Sequence, residues 1–154
     1  MATEGDETVW ENLNPYRMTQ DEADEVIREA DGATVCWTRT DGRAIGVWVS
    51  HAVLDGDLYV TTTGNRAKTR EWKQDPHISV VVHARGKGSV TVLGTVELSD
   101  DRALVTRFLE NLADRGGMPP ERREFWMKRM NSGGRLVGKV TPEKYITFDE
   151  RKLN

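Results

Sequence analysis

The chain reads as a mainly β protein with flanking helices, an α+β barrel or sandwich of six or so mostly antiparallel strands. Three observations predict it. Apolar residues alternate with polar ones over several short runs, Asp41-Gly42 and Asp55-Gly56 punctuate those runs as hairpin turns, and helical periodicity is confined to four separate stretches. At 154 residues the chain makes one domain, long enough to bury roughly two-thirds of its unfolded surface.

Residues 1–18 are polar and acidic, with Val9, Trp10, Leu13, Tyr16 and Met18 as the only anchors. They read as a flexible segment ahead of a single domain over 19–154. Thr19-Gln20-Asp21-Glu22 matches a capping box, and Ala23, Val26, Ile27 and Ala30 follow at helical spacing. Gly32 is the expected left-handed stop. Strands are predicted over 33–40 and 43–50 around Asp41-Gly42, then over 50–54 and 58–63 around Asp55-Gly56. A short basic helix comes next and ends at Asp75-Pro76, because the residue before proline avoids helical geometry.

Strands over 78–84 and 89–98 flank the turn Arg85-Gly86-Lys87-Gly88. Ser99-Asp100-Asp101 opens a helix with an apolar stripe of Ala103, Leu104, Phe108, Leu109 and Leu112, ending at Gly116-Gly117. Pro119-Pro120 opens another through Phe125, Trp126, Met127 and Met130. Ser132-Gly133-Gly134-Arg135 could be a second anion loop, but reads better as a plain helix terminator. Two last strands, 136–140 and 145–148, straddle Thr141-Pro142.

The net charge of -3 and pI near 5.7 argue against a general nucleic-acid or membrane-surface binder. A single cysteine, Cys36, excludes an internal disulfide framework and fits a reducing cytoplasm. The acidic start is the wrong sign for a signal peptide, and no apolar run approaches a membrane span, so a cytoplasmic protein is expected. His51, His77 and His83 show no metal spacing and read as surface or rim residues. No pair of carboxylates stands out as a general acid and base. Trp37, Trp48, Trp72 and Trp126 all lie inside expected elements and read first as core. Trp48 lies between Val47 and Val49 on the opposite strand face, so inward valines would turn it outward or into a cleft.

The most informative segment is 58–70, a strand with the run Thr61-Thr62-Thr63, a turn at Gly64-Asn65, and a helix whose start carries Arg66, Lys68 and Arg70. Cations at a helix start oppose its dipole, at a cost of about 0.3–1 kcal/mol each. A bound anion reverses that penalty. Free amides, hydroxyls and cations together make a phosphate site. Lys68 lies about 160° around a regular helix from Arg66, so both meet one anion only if Arg66 still belongs to the turn.

The order of these parts resembles the pyridoxamine-phosphate-oxidase-like family of FMN-binding split β-barrels. The likeness rests on the Thr19-Gln20-Asp21-Glu22 helix, Thr34-Val35-Cys36-Trp37-Thr38, Asp41-Gly42-Arg43, Gly46-Val47-Trp48-Val49, the turn from Thr61 to Lys68, Asp75-Pro76 and the strand from Val90 to Leu98. Arg-Ala-Lys-Thr-Arg is similar to the actinobacterial branch that uses FMN or the deazaflavin coenzyme F-420. The resemblance implies that Arg66 and Lys68 grip the cofactor phosphate, with Thr61, Thr62, Thr63 and Thr69 as further donors. It implies that Val47, Trp48, Val49 and Ser50 run along the flavin ring. It also implies a homodimer with a cofactor site at each interface, closed by the partner copy's strand at 89–93, where Ser89 replaces a larger amide.

Residues 144–154 lack the substrate-gripping end of true pyridoxamine phosphate oxidases, which argues against vitamin B6 chemistry, and the helix at 119–131 would shape or cover the pocket. The implied activity is hydride transfer between FMN or F-420 and a small electron-poor or conjugated organic molecule, with no catalytic side chain. The alternatives are a non-catalytic flavin, deazaflavin or haem storage protein, with His51 or His83 as axial ligand, and a nucleotide-binding regulatory domain. The last lacks a glycine-rich nucleotide loop.

Overall fold

Strands β1 (Ala33–Thr38), β5 (His77–Ala84) and β6 (Gly88–Ser99) bury every second residue along most of their length, as a sheet with one inward face requires. In this computed structural model, which describes residues 12–153, they join β2 (Ala44–Val49), β3 (His51–Leu54), β4 (Asp57–Thr63) and β7 (Arg135–Asp149) in one sheet. The order is β2-β1-β5-β6-β7-β4-β3, and every pairing is antiparallel. The edge strands β2 and β3 are consecutive in the chain and joined by Ser50 alone. One residue can bridge two edges only if the sheet curls until they meet. The barrel is therefore closed by the chain at this seam but not by a hydrogen-bonded ladder.

Helix α1 (Gln20–Glu29) starts with the expected capping box: the Glu22 amide donates to Thr19 Oγ1 (3.2 Å) and the Thr19 amide to Glu22 Oε1 (2.9 Å). It buries Ala23, Val26 and Ile27 in the barrel core with Val35, Val80, Val90 and Val92. The helix ends at an extended Ala30 and not at a left-handed Gly32. The Ala30 carbonyl is satisfied from outside, by the Arg115 guanidinium, so no glycine cap is needed.

Ahead of α1, Met18 donates its amide to Thr147 Oγ1 (2.9 Å), Lys152 Nζ donates to the Arg17 carbonyl (2.7 Å) and the Tyr16 ring sits 5.5 Å from that of Phe148. Part of the stretch read as flexible is thus tied to β7. Residues 1–11 lie outside the described ones.

The two Asp-Gly turns differ. Asp55 (φ 52°) and Gly56 (φ 81°) form a two-residue hairpin directly between the paired Leu54 and Asp57. The β1–β2 ladder instead ends at Thr38–Ala44, and the Gly42 amide bonds back to the Arg39 carbonyl (2.9 Å) in a longer loop.

Helices α2 (Ala67–Gln74), α3 (Arg102–Arg115) and α4 (Pro120–Met130) complete the fold. The Asp101 side chain caps α3 through the Leu104 amide (3.0 Å). Val105, Phe108 and Leu109 of α3 form a second core with Ala52, Leu54, Tyr59 and Val137 on the outer face of β3, β4 and β7. Trp126, Met127 and Met130 of α4 pack against its margin.

The two strands expected around Thr141-Pro142 are one. β7 runs through the proline, and its register with β6 slips between Leu93 and Gly94, so that Glu143 has no partner. Pro142 sits at this irregularity and beyond Val140, where the β4 ladder stops, settings in which a strand proline is tolerated. A Cβ at Gly94 would lie 2.2 Å from the Thr141 carbonyl oxygen, so only glycine allows the approach. No helix among the described residues is long and apolar enough to cross a membrane.

Candidate functional site: a cleft in the barrel seam

Where β2 and β4 part, the seam opens into a cleft of about 520 Å³. Ile45, Val47, Trp48 and Val49 of β2 form one wall, Thr61, Thr62 and Thr63 of β4 the other, and Trp37 the floor. Arg66, Ala67, Lys68 and Arg135 close one end.

Arg66 is extended (φ -81°, ψ 146°) and precedes the first turn of α2, so it belongs to the turn and can share a target with Lys68. No side chain caps α2 and its first turn holds no acid, which leaves the dipole and leading amides unanswered from within. Lys68 is half-buried, with Nζ 3.5 Å from the Thr61 carbonyl oxygen and 5.8 Å from the Trp72 ring centre. Burial pushes its pKa down, and Arg66 and Arg135 push it further. Arg135 is shifted down for the same reasons, burial first and Arg66 second. Among the described residues, none of these three cations forms an ion pair with a carboxylate. The cluster therefore carries positive charge that no carboxylate among the described residues offsets, the electrostatic setting that suits an anion.

Residues 19–148 match the sequence family described as pyridoxamine 5'-phosphate oxidase. The chain belongs to that family. Among solved structures the fold is similar to that of the conserved hypothetical protein Rv2991 from Mycobacterium tuberculosis (18% identity, TM-score 0.80), covering 90% of this chain and 89% of that one. An F-420 reductase is also similar (22% identity, TM-score 0.60, 79% and 92% covered). So is HutZ, the haem storage protein of Vibrio cholerae (12% identity, TM-score 0.63, 86% and 96% covered). These likenesses show the split-barrel fold of the pyridoxamine 5'-phosphate oxidase family. A search of curated proteins finds no match.

Within this family fold, the cleft brings together Val47, Trp48, Val49, Thr61, Thr62, Thr63, Arg66 and Lys68. Ser50, Thr69 and Ser89 do not line it. Ser50 is exposed at the β2–β3 crossing, and Ser89 is paired with His83 and Phe148 on β6. Thr69 is fully buried behind the turn, where its hydroxyl meets that of Thr62 (2.9 Å) and donates to the Thr63 carbonyl (2.7 Å). Thr63 Oγ1 donates to Asn65 Oδ1 (2.7 Å), and Thr61 Oγ1 donates to the Leu136 carbonyl (3.3 Å). The threonine hydroxyls thus fasten the strand to the helix start and shape the turn that carries Arg66.

Trp48 is 65% exposed while Val49 faces the core, as the strand alternation requires. Trp37, read as core, is buried, edge-on to Trp72 at 5.5 Å, with Nε1 donating to Glu71 Oε2 (3.1 Å), yet its ring also floors the cleft. Arg135, Ile45 and Ala67 are further lining residues that the sequence reading missed. For Arg135 the signal was Ser132-Gly133-Gly134: both glycines adopt positive φ (71° and 73°), and the Gly134 carbonyl accepts the Gly64 amide (3.0 Å). The loop read as a helix terminator is docked on the Gly64-Asn65 turn.

His51 is not at a rim. It is 1% exposed, with Nε2 2.7 Å from the Ile27 carbonyl oxygen and no partner at Nδ1. Burial pushes its pKa down. A ring so enclosed cannot serve as a haem ligand at the cleft. His77 pairs with Asp75, and His83 lies on the surface near Glu150. Among the described residues no three His, Cys, Asp or Glu side chains gather into a metal cluster.

Proposed function

We propose that this family member is a flavin- or deazaflavin-dependent oxidoreductase that holds FMN or F-420 in the seam cleft. Its substrate is a small electron-poor or conjugated organic molecule. The observation that carries the reading is the convergence of Arg66, Lys68 and Arg135, without a carboxylate partner, at one end of an aromatic-floored cleft of about 520 Å³. A phosphate-ended planar coenzyme fits such a site, since a bound anion would offset the cations, the β2 wall is apolar and the β4 wall offers threonines. The bound coenzyme supplies hydride chemistry. The chain's own residues have simpler tasks. Arg66 and Lys68 anchor, the β2 backbone and Trp48 orient, and Val47 and Val49 exclude water. No side chain acts as nucleophile.

The reading includes a homodimer in which the 89–93 strand of a second copy covers the open side of each cleft. It accounts for Ser89 standing outside the cleft of its own chain. Sedimentation at micromolar concentration tests it, and a monomer overturns it.

Titration of the purified protein with FMN and with F-420, followed by absorbance and fluorescence, tests the coenzyme. Charge-assisted hydrogen bonds contribute about 1.5–3 kcal/mol each, so Arg66→Ala with Lys68→Ala weakens binding several hundredfold or more. Unchanged affinity refutes the assignment. Reoxidation of the reduced complex by a panel of quinones, enones and nitro compounds separates an enzyme from a storage protein.

A further inference from the structure

We infer that Arg135 is a third ligand of the coenzyme phosphate, brought to the cleft by the α4–β7 turn and facing Arg66 and Lys68 from a separate element. The inference rests on the coenzyme reading above. Nothing in the strand-turn-helix motif requires a cation from this distant part of the chain, and three structural features place one there.

The turn is pinned from two sides. Gly133 and Gly134 adopt positive φ, and the Gly134 carbonyl takes the Gly64 amide (3.0 Å), so the turn sits against the Gly64-Asn65 turn. From the other side, Arg102 at the start of α3 donates to Asn131 Oδ1 (3.2 Å), to the Asn131 carbonyl (3.3 Å) and to the Arg135 carbonyl. Arg102 is a positioning residue for Arg135.

The guanidinium is oriented but not saturated. Nε donates to the Met130 carbonyl (3.1 Å) and Nη1 to Thr61 Oγ1 (3.2 Å), while Nη2 has only the Met130 sulfur at 3.9 Å. Of five N–H bonds, one on Nη1 and one on Nη2 remain for phosphate oxygens. The head is half-buried beside Arg66 with no acid to neutralise it. A cation held so against other cations needs an anion between them. If Arg135 served only to brace the turn, an uncharged donor at the same place would do so without that repulsion.

The test compares the coenzyme that the wild-type protein binds with its phosphate-free form, riboflavin for FMN or the deazaflavin-ribitol fragment for F-420. Arg135→Ala is expected to weaken the phosphorylated coenzyme by about ten- to a hundredfold and leave the phosphate-free form within about twofold. Arg135→Lys should recover part of the loss. Arg66→Ala serves as the reference variant, and a thermal melt confirms that each variant folds. Equal weakening of both ligands, or of neither, makes Arg135 a brace and overturns the inference. If Arg66→Ala weakens the coenzyme while Arg135→Ala does not, the inference falls and the coenzyme reading stands. If the wild-type protein binds neither FMN nor F-420, the coenzyme reading itself has failed. Should Arg135→Ala fail to fold, Arg135→Gln, which keeps a donor toward Thr61 but no charge, carries the same comparison.

Discussion

The indole of Trp48 lies on the backbone of Gly32: a Cβ at Gly32 would come within 2.4 Å of Trp48 Cζ2 and 2.6 Å of Cε2. Gly32 has no positive φ, so its glycine character serves this contact and not the backbone. Gly32→Ala is expected to swing the exposed ring away. Stability should change by under about 1 kcal/mol, since the yielding group is a solvent-facing side chain. Coenzyme affinity should fall by up to about tenfold, the worth of one aromatic contact. A titration alongside a denaturant curve checks both, and an unchanged affinity would show that Trp48 does not help orient the ligand.

Thr69→Val keeps the shape of a buried side chain but removes its hydrogen bonds to Thr62 and to the Thr63 carbonyl. Leaving these partners unsatisfied costs about 1–3 kcal/mol. Thr69→Ser should keep most of that stability. Chemical denaturation of the two variants distinguishes a latch from a mere space-filler, which would tolerate valine and suffer from serine.

Asp149, fully buried at the end of β7, accepts hydrogen bonds from Arg151 Nε (2.8 Å), Nη2 (2.9 Å) and backbone N–H (3.0 Å). The Arg151 side chain first of all holds its carboxyl down to about 2, from an ordinary 3.8. The folded pKa lies below the unfolded one, so the stabilisation is fully present above pH 3.8 and is lost as pH falls toward about 2. Asp149→Asn should lower the urea midpoint at neutral pH and flatten its fall across that acid window. Some acid sensitivity should remain, because Lys152 lowers Glu22 and Lys87 lowers Glu25 in the same direction.

His51 has the opposite chemistry and loses stability in a different window. Burial first, and the nearby Arg115 as well, favour the neutral ring, although the Ile27 carbonyl opposes them. The unfolded state then binds a proton that the native state refuses, and stability declines as pH falls below about 6.5. His51→Gln, which can still donate to Ile27, should remove that decline. His77, raised by Asp75, contributes stability that is lost as pH rises through its folded pKa, and it cancels in the difference between wild type and variant. Identical pH profiles from pH 5 to 8 would refute the assignment to His51.

Much of this protein was legible because its signals are local. The Thr19 capping box and the Asp55-Gly56 hairpin follow from short-range rules of helix capping and turn geometry, whereas strand alternation offered the exposure of Trp48 only as an alternative to the core. Misreadings arose where a distant partner replaced a local one. Gly32 looked like a helix cap, yet Arg115 satisfies Ala30 and Trp48 claims the space. Pro142 looked like a strand break, yet an irregular register absorbs it. His51 looked like a rim residue because nothing in its neighbours announces that α1 and Arg115 enclose it.

By itself the sequence determined that there would be a curled antiparallel sheet and a cation-bearing turn at Arg66 and Lys68, because alternation, turn residues and charge at a helix start act over a few bonds. The tertiary structure decided that β2 and β3 meet across Ser50, that Trp37 floors the cleft left between β2 and β4, and that Arg135 arrives there from the far end of α4. Pairing β4 with β7 brings together residues 74 positions apart, Thr61 and Arg135, which share a hydrogen bond. Such a contact depends on which strands lie side by side in the sheet and in what register, and no local pattern encodes that choice.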